Sequence, residues 1–159
     1  MLQRFRRRLQ GEREGGFTLI ELMVVVLIIA ILIAIAIPTF LGARQRAQNR
    51  AAQSSLRNAF TAAKTIYTDA QSYATVSQAT MSAVEPSLTY APDATTDSTG
   101  QNNVAVTGTA TVFAAAALSA SGTCYWIKEN VATGTTYGSG ASTACSATDA
   151  LGAALPAWT

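Results

Sequence analysis

The sequence contains no histidine, only two cysteines and few charged residues, and these scarcities exclude several kinds of protein. Without histidine the chain lacks the commonest general base and metal ligand. Its 11 Lys and Arg against 9 Asp and Glu give a net charge of +2, which is not the basic excess of a nucleic-acid-binding domain. With no paired carboxylates and no nucleophile beside a base, we expect no enzyme, no cofactor and no metal site.

Charged residues are distributed unevenly along the chain. Residues 1–16 hold five arginines and two glutamates, a net charge of +3, so the remaining 143 residues carry −1. An apolar segment follows directly, and from Leu22 to Ile37 it contains no polar or charged side chain. By the positive-inside rule residues 1–16 would be cytoplasmic and the C-terminal part would lie outside.

The apolar segment from Phe17 to Ile37 is long enough to be a membrane anchor. Its 21 residues would form a helix of about 31 Å, against about 30 Å of hydrocarbon in a bilayer. The alternative is a secretory signal peptide cleaved after Ala36 in the small-residue sequence 34–36. We favour the anchor, because the run exceeds the usual apolar core of about 7–15 residues and continues into another helix.

Beyond Pro38 the sequence predicts an amphipathic helix that continues the anchor, giving one helix over residues 17–73 of about 85 Å. Small and apolar residues recur at three- and four-residue spacing. They are Ala52, Leu56, Ala59, Phe60, Ala63, Ile66, Tyr67 and Ala70. Pro38 lacks a backbone N–H, so we expect a kink there. So long a helix, half apolar and half amphipathic, suits side-by-side assembly.

Three basic residues at sevenfold spacing, Arg50, Arg57 and Lys64, are predicted on the opposite face of this helix. A solvated face and a contact with another subunit explain them equally well, and DNA binding is less favoured.

The remainder of the chain is rich in Ala, Ser, Thr and Gly and predicts a small antiparallel sheet. One short helix is expected within residues 77–88, stopped before Pro86, and residues 90–103 read as a loop. Strands are predicted over 104–108, 109–118 and 123–130, with a further one near the end of the turn-rich stretch 134–148. Three or four strands laid on the apolar face of the helix would bury both elements.

The stretch GGFTLIELMVVVLIIAILIAIAIP, residues 15–38, resembles the N-terminus of type IV prepilins and the related pseudopilins. The matching features are a short basic leader ending in glycine, Phe17 at the cut, Glu21 four residues on, an unbroken apolar run and Pro38. The resemblance covers residues 1 to about 70. Beyond residue 70 the resemblance is limited to the expected architecture. This is an α+β pilin fold, with a sheet against the helix and two cysteines near the C-terminus.

This resemblance implies a processing and assembly route. A prepilin peptidase would recognise Gly15 and Gly16, cut between Gly16 and Phe17, and N-methylate Phe17. Subunits would then leave the bilayer and form a homopolymeric filament on an assembly platform driven by a separate ATPase. The implied location is the cytoplasmic membrane for the prepilin and an extracellular filament on the bacterial surface for the product, with nucleic acid at most an indirect partner.

Glu21 is the only charged residue in the predicted anchor, and the resemblance suggests why it is there. An unpaired carboxylate in a dry filament core costs several kcal/mol. We interpret Glu21 as the partner of the Phe17 ammonium of a neighbouring subunit, displaced by about four residues' rise, roughly 6 Å. The alternative is a carboxylate that merely stays near the lipid head groups.

Together these interpretations divide the chain into four parts. They are a removed leader (1–16), a transmembrane and filament-core helix (17–38), an amphipathic helix (39–73) and an extracellular β head (74–159). Cys124 and Cys145 are predicted to form a disulfide because the head lies outside the cytoplasm; two free thiols or a metal pair would lack further ligands.

Another candidate is a set of acidic and amide residues, Asp93, Asp97, Asn102 and Asn103. Calcium is a possible ligand for them, but their spacing does not fit a calcium-binding loop. A solvated turn is favoured.

Three functions are compatible with these features. A structural pilin of an adhesion or motility filament is preferred, because Glu21 is present and the head is small without a large insertion. A pseudopilin of a type II secretion or DNA-uptake system is the alternative. A tethered extracellular enzyme is disfavoured by the missing catalytic residues.

Overall fold

The computed structural model describes residues 16–141 and 145–158. The described helices are α1 (Leu19–Ala70), α2 (Gln78–Val84) and α3 (Ala147–Ala150). The described strands are β1 (Thr89–Tyr90), β2 (Asn103–Gly108), β3 (Val112–Leu118), β4 (Thr123–Asn130) and β5 (Gly134–Ala141). A long N-terminal helix packs against a five-stranded, mostly antiparallel sheet, which confirms the predicted α+β class. By compactness the chain divides into two units, residues 1–41 and 42–159, which are described separately below.

Helix α1 covers residues 19–70, close to the predicted 17–73. Its buried residues within the second unit follow the predicted three- and four-residue spacing. They are Ala52, Ser55, Leu56, Ala59, Ala62 and Ala63. Five of the six are alanine or serine. The helix ends at Gln71, whose φ of 51° is left-handed and whose amide donates to the Tyr67 carbonyl at 2.7 Å.

The sheet has the strand order β1-β2-β3-β4-β5. Strand β1 pairs in parallel with β2, and the other neighbours are antiparallel. The β3–β4 register places Phe113 opposite Glu129 and Ala115 opposite Ile127. Beyond β5, the C-terminal tail adds one antiparallel bridge between Tyr137 and Leu155. The tail therefore covers part of the β5 edge, which limits pairing with another chain there.

The main core lies between the sheet and residues 52–70 of α1. Alternate residues of β3 and β4, including Phe113 and Ile127, are buried in one cluster with Leu56 of the helix. Tyr73, fully buried after the helix, stacks between Tyr67 and Phe113 with ring centroids 4.6 and 5.8 Å away. These aromatic rings provide much of the apolar area that the alanine-rich strands do not.

The opposite face of the sheet is also buried, in a second cluster built mainly of small residues. Its buried members are Ala91, Ala105, Ala114, Ala116, Cys124, Cys145, Ala147 and Ala150. The prediction covered one face of the sheet by the helix; here α3 and the segment around Ala91 cover the other face as well. The alanines of β3 leave room for this second layer.

Three elements differ from the sequence predictions. Strand β1 and helix α3 were not predicted, and the last strand occupies 134–141, the beginning rather than the end of the turn-rich stretch. The reason for the strand is tertiary. A Cβ on Gly138 or Gly140 would come within 2.8 or 2.6 Å of the Trp126 ring, so these glycines accommodate a neighbouring side chain within a sheet instead of forming a turn. Strand β4 and helix α2 lie where they were predicted.

Candidate functional site

The start of α1 is built by two residues that hydrogen-bond reciprocally, Thr18 and Glu21. The Thr18 amide donates to Glu21 Oε2 at 2.8 Å, and the Thr18 hydroxyl donates to the same oxygen at 2.6 Å. The Glu21 amide donates in return to Thr18 Oγ1 at 3.3 Å. This is a capping box, which satisfies backbone N–H groups that have no partner inside the first helical turn.

Sequence reasoning missed this role of Glu21. The signal was present, because a threonine followed three residues later by a glutamate and an apolar run is the pattern of a capping box. A carboxylate is also favourable at a helix N-terminus, where the helix dipole is positive. Glu21 therefore has a function within its own chain, whether or not it also pairs with a neighbour.

Only one of the two Glu21 carboxylate oxygens takes part in the capping box. Oε2 accepts both bonds from Thr18, while Oε1 has no hydrogen bond to any of residues 16–141 and 145–158. The bonds from Thr18 restrain the side chain at the helix start. A carboxylate held in this way has a free oxygen with which to accept a hydrogen bond from an external cation.

No contact within the described residues requires a glycine at position 16. A Cβ on Gly16 would meet no atom within 4 Å among the described residues. Phe17 is 84 % exposed and lies outside the helix. Gly15 lies outside the described residues. If a glycine is needed at position 16, the need arises from a partner such as a peptidase, and cleavage there stays a prediction.

The first unit presents an apolar surface that no residue of 16–141 or 145–158 covers. From Leu19 to Leu41 each large apolar side chain is at least 48 % exposed. Among the described residues, α1 is the one helix long and apolar enough to cross a membrane, and none of its most apolar window is buried. Exposure on this scale indicates that lipid or other protein chains cover the segment.

Pro38 lies inside α1, and the helix continues through it. The Thr39 hydroxyl donates to the Ile35 carbonyl at 3.1 Å, the same bond to a carbonyl four residues back that Thr61 and Thr65 make further along the helix. The predicted kink stays a prediction.

Cys124 and Cys145 form a disulfide, the pairing that the sequence predicts. Their Cα atoms are 5.5 Å apart and both residues are fully buried. The bond joins Cys124 on β4 to Cys145, which lies two residues before the start of α3. It therefore fastens the second layer onto the sheet and lies away from α1.

Two of the residues considered for calcium, Asp93 and Asp97, have hydrogen-bond partners within the chain. Thr95 and then Thr96 donate side-chain and backbone hydrogen bonds to Asp93, which lowers the pKa of its carboxyl group. Asp97 accepts from the Cys145 amide at 3.1 Å. The described residues contain no group of three or more acidic, cysteine or histidine side chains placed to hold a metal ion.

The prediction that Arg57 and Lys64 lie opposite the sheet is wrong. The Arg57 guanidinium carbon lies 5.1 Å from the ring centroid of Trp158, and Lys64 forms a salt bridge with Glu129 on β4. Each follows a buried helix residue by one position, or about 100° around the helix, which places it at the margin of the packed face.

The fold and the exposed helix fit a membrane-anchored protein with a small α+β head. Within that class, residues 13–37 match the family described as the prokaryotic N-terminal methylation motif. The chain thus carries the signature of type IV pilins and pseudopilins, and the resemblance noted in the sequence is confirmed. No curated protein and no solved structure matches the chain.

Proposed function

We propose that this chain is the structural subunit of a type IV pilus filament. The observation that carries the proposal is the first unit: an apolar helical segment exposed from Leu19 to Leu41, with one carboxylate, Glu21, restrained at its start. The methylation motif covers the same segment. Pilins are structural proteins, and the proposed role is assembly without catalysis.

In the proposed route the chain is first a membrane protein. Residues 1–16 form a cytoplasmic leader, residues 17–38 the anchor, residues 39–73 the amphipathic helix and residues 74–159 a head outside the cytoplasm. Prepilin peptidase cuts between Gly16 and Phe17 and methylates the new amine of Phe17. The exposed apolar residues of the anchor face lipid at this stage, where their burial from water is complete.

Assembly then replaces lipid by the anchors of other copies. The Phe17 ammonium and the Glu21 carboxylate would both enter a core with a low dielectric constant, where an unpaired charge is costly. The oxygen of Glu21 that the capping box leaves free can accept from the ammonium of a neighbour. A pair of this kind forms only when neighbours are displaced by about four residues' rise, so it selects one register. An assembly platform and its ATPase, both separate proteins, would drive the extraction.

The capping box makes an experiment possible that separates the charge of Glu21 from its role at the helix start. Glu21→Gln keeps a residue that suits the third position of a capping box but removes the charge. Thr18→Ala removes the capping hydroxyl and keeps the carboxylate. Glu21→Ala removes both functions of Glu21. Each variant is expected to insert and to be processed, because the cut depends on the residues around Gly16.

Filament yield after shearing, measured beside the amount of processed subunit in the membrane, is the readout. We expect almost no filaments from Glu21→Ala, a marked loss from Glu21→Gln, and a smaller loss from Thr18→Ala, since a missing cap costs about 1 kcal/mol. Normal yield from Glu21→Gln would show that capping alone explains the carboxylate. Intact mass should also give Phe17 as the mature N-terminus; a chain beginning at Ile37 would indicate a secretory signal and end the filament proposal.

The methylation motif supports a second candidate equally, a pseudopilin of a type II secretion or DNA-uptake system. The two differ in where the polymer is found. If this polypeptide is the main component of sheared surface filaments, it is a pilin. If its deletion abolishes protein secretion or transformation while the surface filaments persist, it is a pseudopilin.

A further inference from the structure

The basic side chains of the described residues fall into two groups of three. The side chains of the first group have partners: Arg57 stacks on Trp158, Lys64 pairs with Glu129, and Lys128 donates to the Leu151 carbonyl at 3.0 Å. The other group consists of Arg44, Arg46 and Arg50, all exposed, and is called the basic belt below. No salt bridge or hydrogen bond joins a side chain of the belt to residues 16–141 or 145–158.

The sequence on either side of the basic belt offers no acidic residue to neutralise it. The sequence contains no Asp or Glu between Glu21 and Asp69, so three positive charges within seven residues stand alone on this part of the helix. Several carboxylates of the head already have partners: Glu129 pairs with Lys64, Asp97 accepts from the Cys145 amide, and Asp149 caps α3. The basic belt is therefore suited to bind an anionic group of another molecule.

The belt follows the apolar segment closely. Phe40 and Leu41 are 68 % and 50 % exposed, and Arg44 is only three residues further along, at most about 11 Å of extended chain. An arginine near the end of a membrane-spanning helix extends its charged group to the boundary between hydrocarbon and head groups. Arginine side chains are long enough to reach back to that boundary from the following turn.

We propose that the basic belt binds the phosphates of anionic phospholipids in the leaflet through which the head emerges. This inference relies on the membrane anchor of the proposed function. Guanidinium groups form paired hydrogen bonds with phosphate oxygens, and a net negative lipid adds long-range attraction. Each arginine near a charged surface contributes about a fivefold preference for it. Anionic lipid would then hold the subunit in the bilayer until it is extracted.

The test measures lipid selectivity of the full chain reconstituted in phosphatidylcholine vesicles. Spin-labelled phosphatidylglycerol and spin-labelled phosphatidylcholine are compared by the fraction of each that the protein immobilises. For the unaltered chain, three arginines at about fivefold each predict a preference for phosphatidylglycerol of up to about a hundredfold, which weakens at high salt. Arg46→Gln should lower the preference by about fivefold, and Arg44→Gln/Arg46→Gln/Arg50→Gln by more. The leader arginines are the same in every variant, so the comparison removes their contribution.

Arg57→Gln is the matched control, because it removes one positive charge from the same helix at a side chain that contacts Trp158. It should leave the preference unchanged. An equal loss from Arg57→Gln and Arg46→Gln would mean that total charge, and not the belt, selects the lipid, and would overturn the proposal. A triple variant that retains full lipid preference but forms no filaments would do the same and assign the belt to a subunit contact. Since the measurement needs no filament, failure to find filaments in cells would overturn the pilus proposal alone.

Discussion

Replacing Lys64 by methionine tests how strongly the ion pair with Glu129 holds α1 to β4. The two partners differ in environment: the Glu129 side chain is 8 % exposed and that of Lys64 is 43 % exposed. The Thr135 hydroxyl also donates to the Glu129 carboxylate. Lys64→Met therefore leaves a buried carboxylate with one remaining side-chain donor. Removing one partner of a buried pair costs about 3–5 kcal/mol, and we expect the lower end because Thr135 remains.

The reverse substitution should be milder. In Glu129→Gln the amide keeps a hydrogen-bond acceptor for Lys64, and the half-exposed ammonium can turn towards water. The expected cost is about 1 kcal/mol, that of one hydrogen bond. The structure thus predicts an asymmetry of roughly 2 kcal/mol between the two single variants, although both break the same pair.

The pair also has a pH signature. Burial alone lowers the pKa of Lys64, but its hydrogen bonds to Glu129 and Tyr73 and the charge interactions with both together outweigh burial, so the pKa is raised overall. Because the folded pKa lies above the unfolded one, the stabilisation is complete below the unfolded lysine pKa and is lost as pH rises through the folded value. Lys64→Met should remove this part of the alkaline loss of stability.

Both tryptophans of the chain, Trp126 and Trp158, lie in the second unit, so their fluorescence reports unfolding of the head and not of the anchor. The assay is urea denaturation of the detergent-solubilised chain, followed by this fluorescence, for the two single variants and the double variant. Equal and small losses, below about 0.5 kcal/mol, would be those of a surface pair and would refute the reasoning.

Three further predictions concern the head. Gly108→Ala would place a Cβ 2.0 Å from the Tyr73 carbonyl oxygen, so we expect the free energy of unfolding to fall by about 1–3 kcal/mol in the same denaturation assay. As a control, Gly100→Ala, whose Cβ would have no atom within 4 Å, should cost less than about 1 kcal/mol. Equal costs for the two variants would contradict the close approach at Gly108. Cys124→Ser should destabilise the head by roughly 3 kcal/mol without preventing membrane insertion, and thiol labelling of the denatured, unreduced chain should find no free cysteine; two labelled thiols would refute the pairing. Burial raises the pKa of Tyr90 to about 12, so the head should lose stability as pH rises from about 10 to 12. Tyr90→Phe should reduce that loss, and an unchanged pH profile in this variant would show that Tyr90 does not cause it.

Local patterns in the sequence were enough to predict the elements whose residues determine their own conformation. The apolar run from Phe17 and the three- and four-residue spacing around Leu56 determine α1, because helix periodicity is repeated over many turns. Strand β4 was predicted with its observed bounds, 123–130, from its aromatic and β-branched residues. The methylation motif is likewise local, so the family signature was evident before any contact was known.

Part of the site was equally local and was overlooked. The capping box of Thr18 and Glu21 spans four residues and needs no tertiary contact, so the sequence contained all the information for it. Glu21 also carries the single charge of the apolar segment. Whether that charge also pairs with Phe17 of another subunit depends on an assembly that lies outside a single chain.

The tertiary structure decided those features in which distant residues meet. By themselves Gly138 and Gly140 suggest a turn. In the folded chain the Trp126 ring lies against both, and this contact explains why glycines occupy a strand. The sevenfold spacing placed Lys64 on the opposite face of α1, whereas it pairs with Glu129, which is 65 residues away in the sequence. The physical reason is the same in both cases: periodicity records which face of an element is buried, but the identity of the neighbour depends on strand order and register, which no local stretch contains.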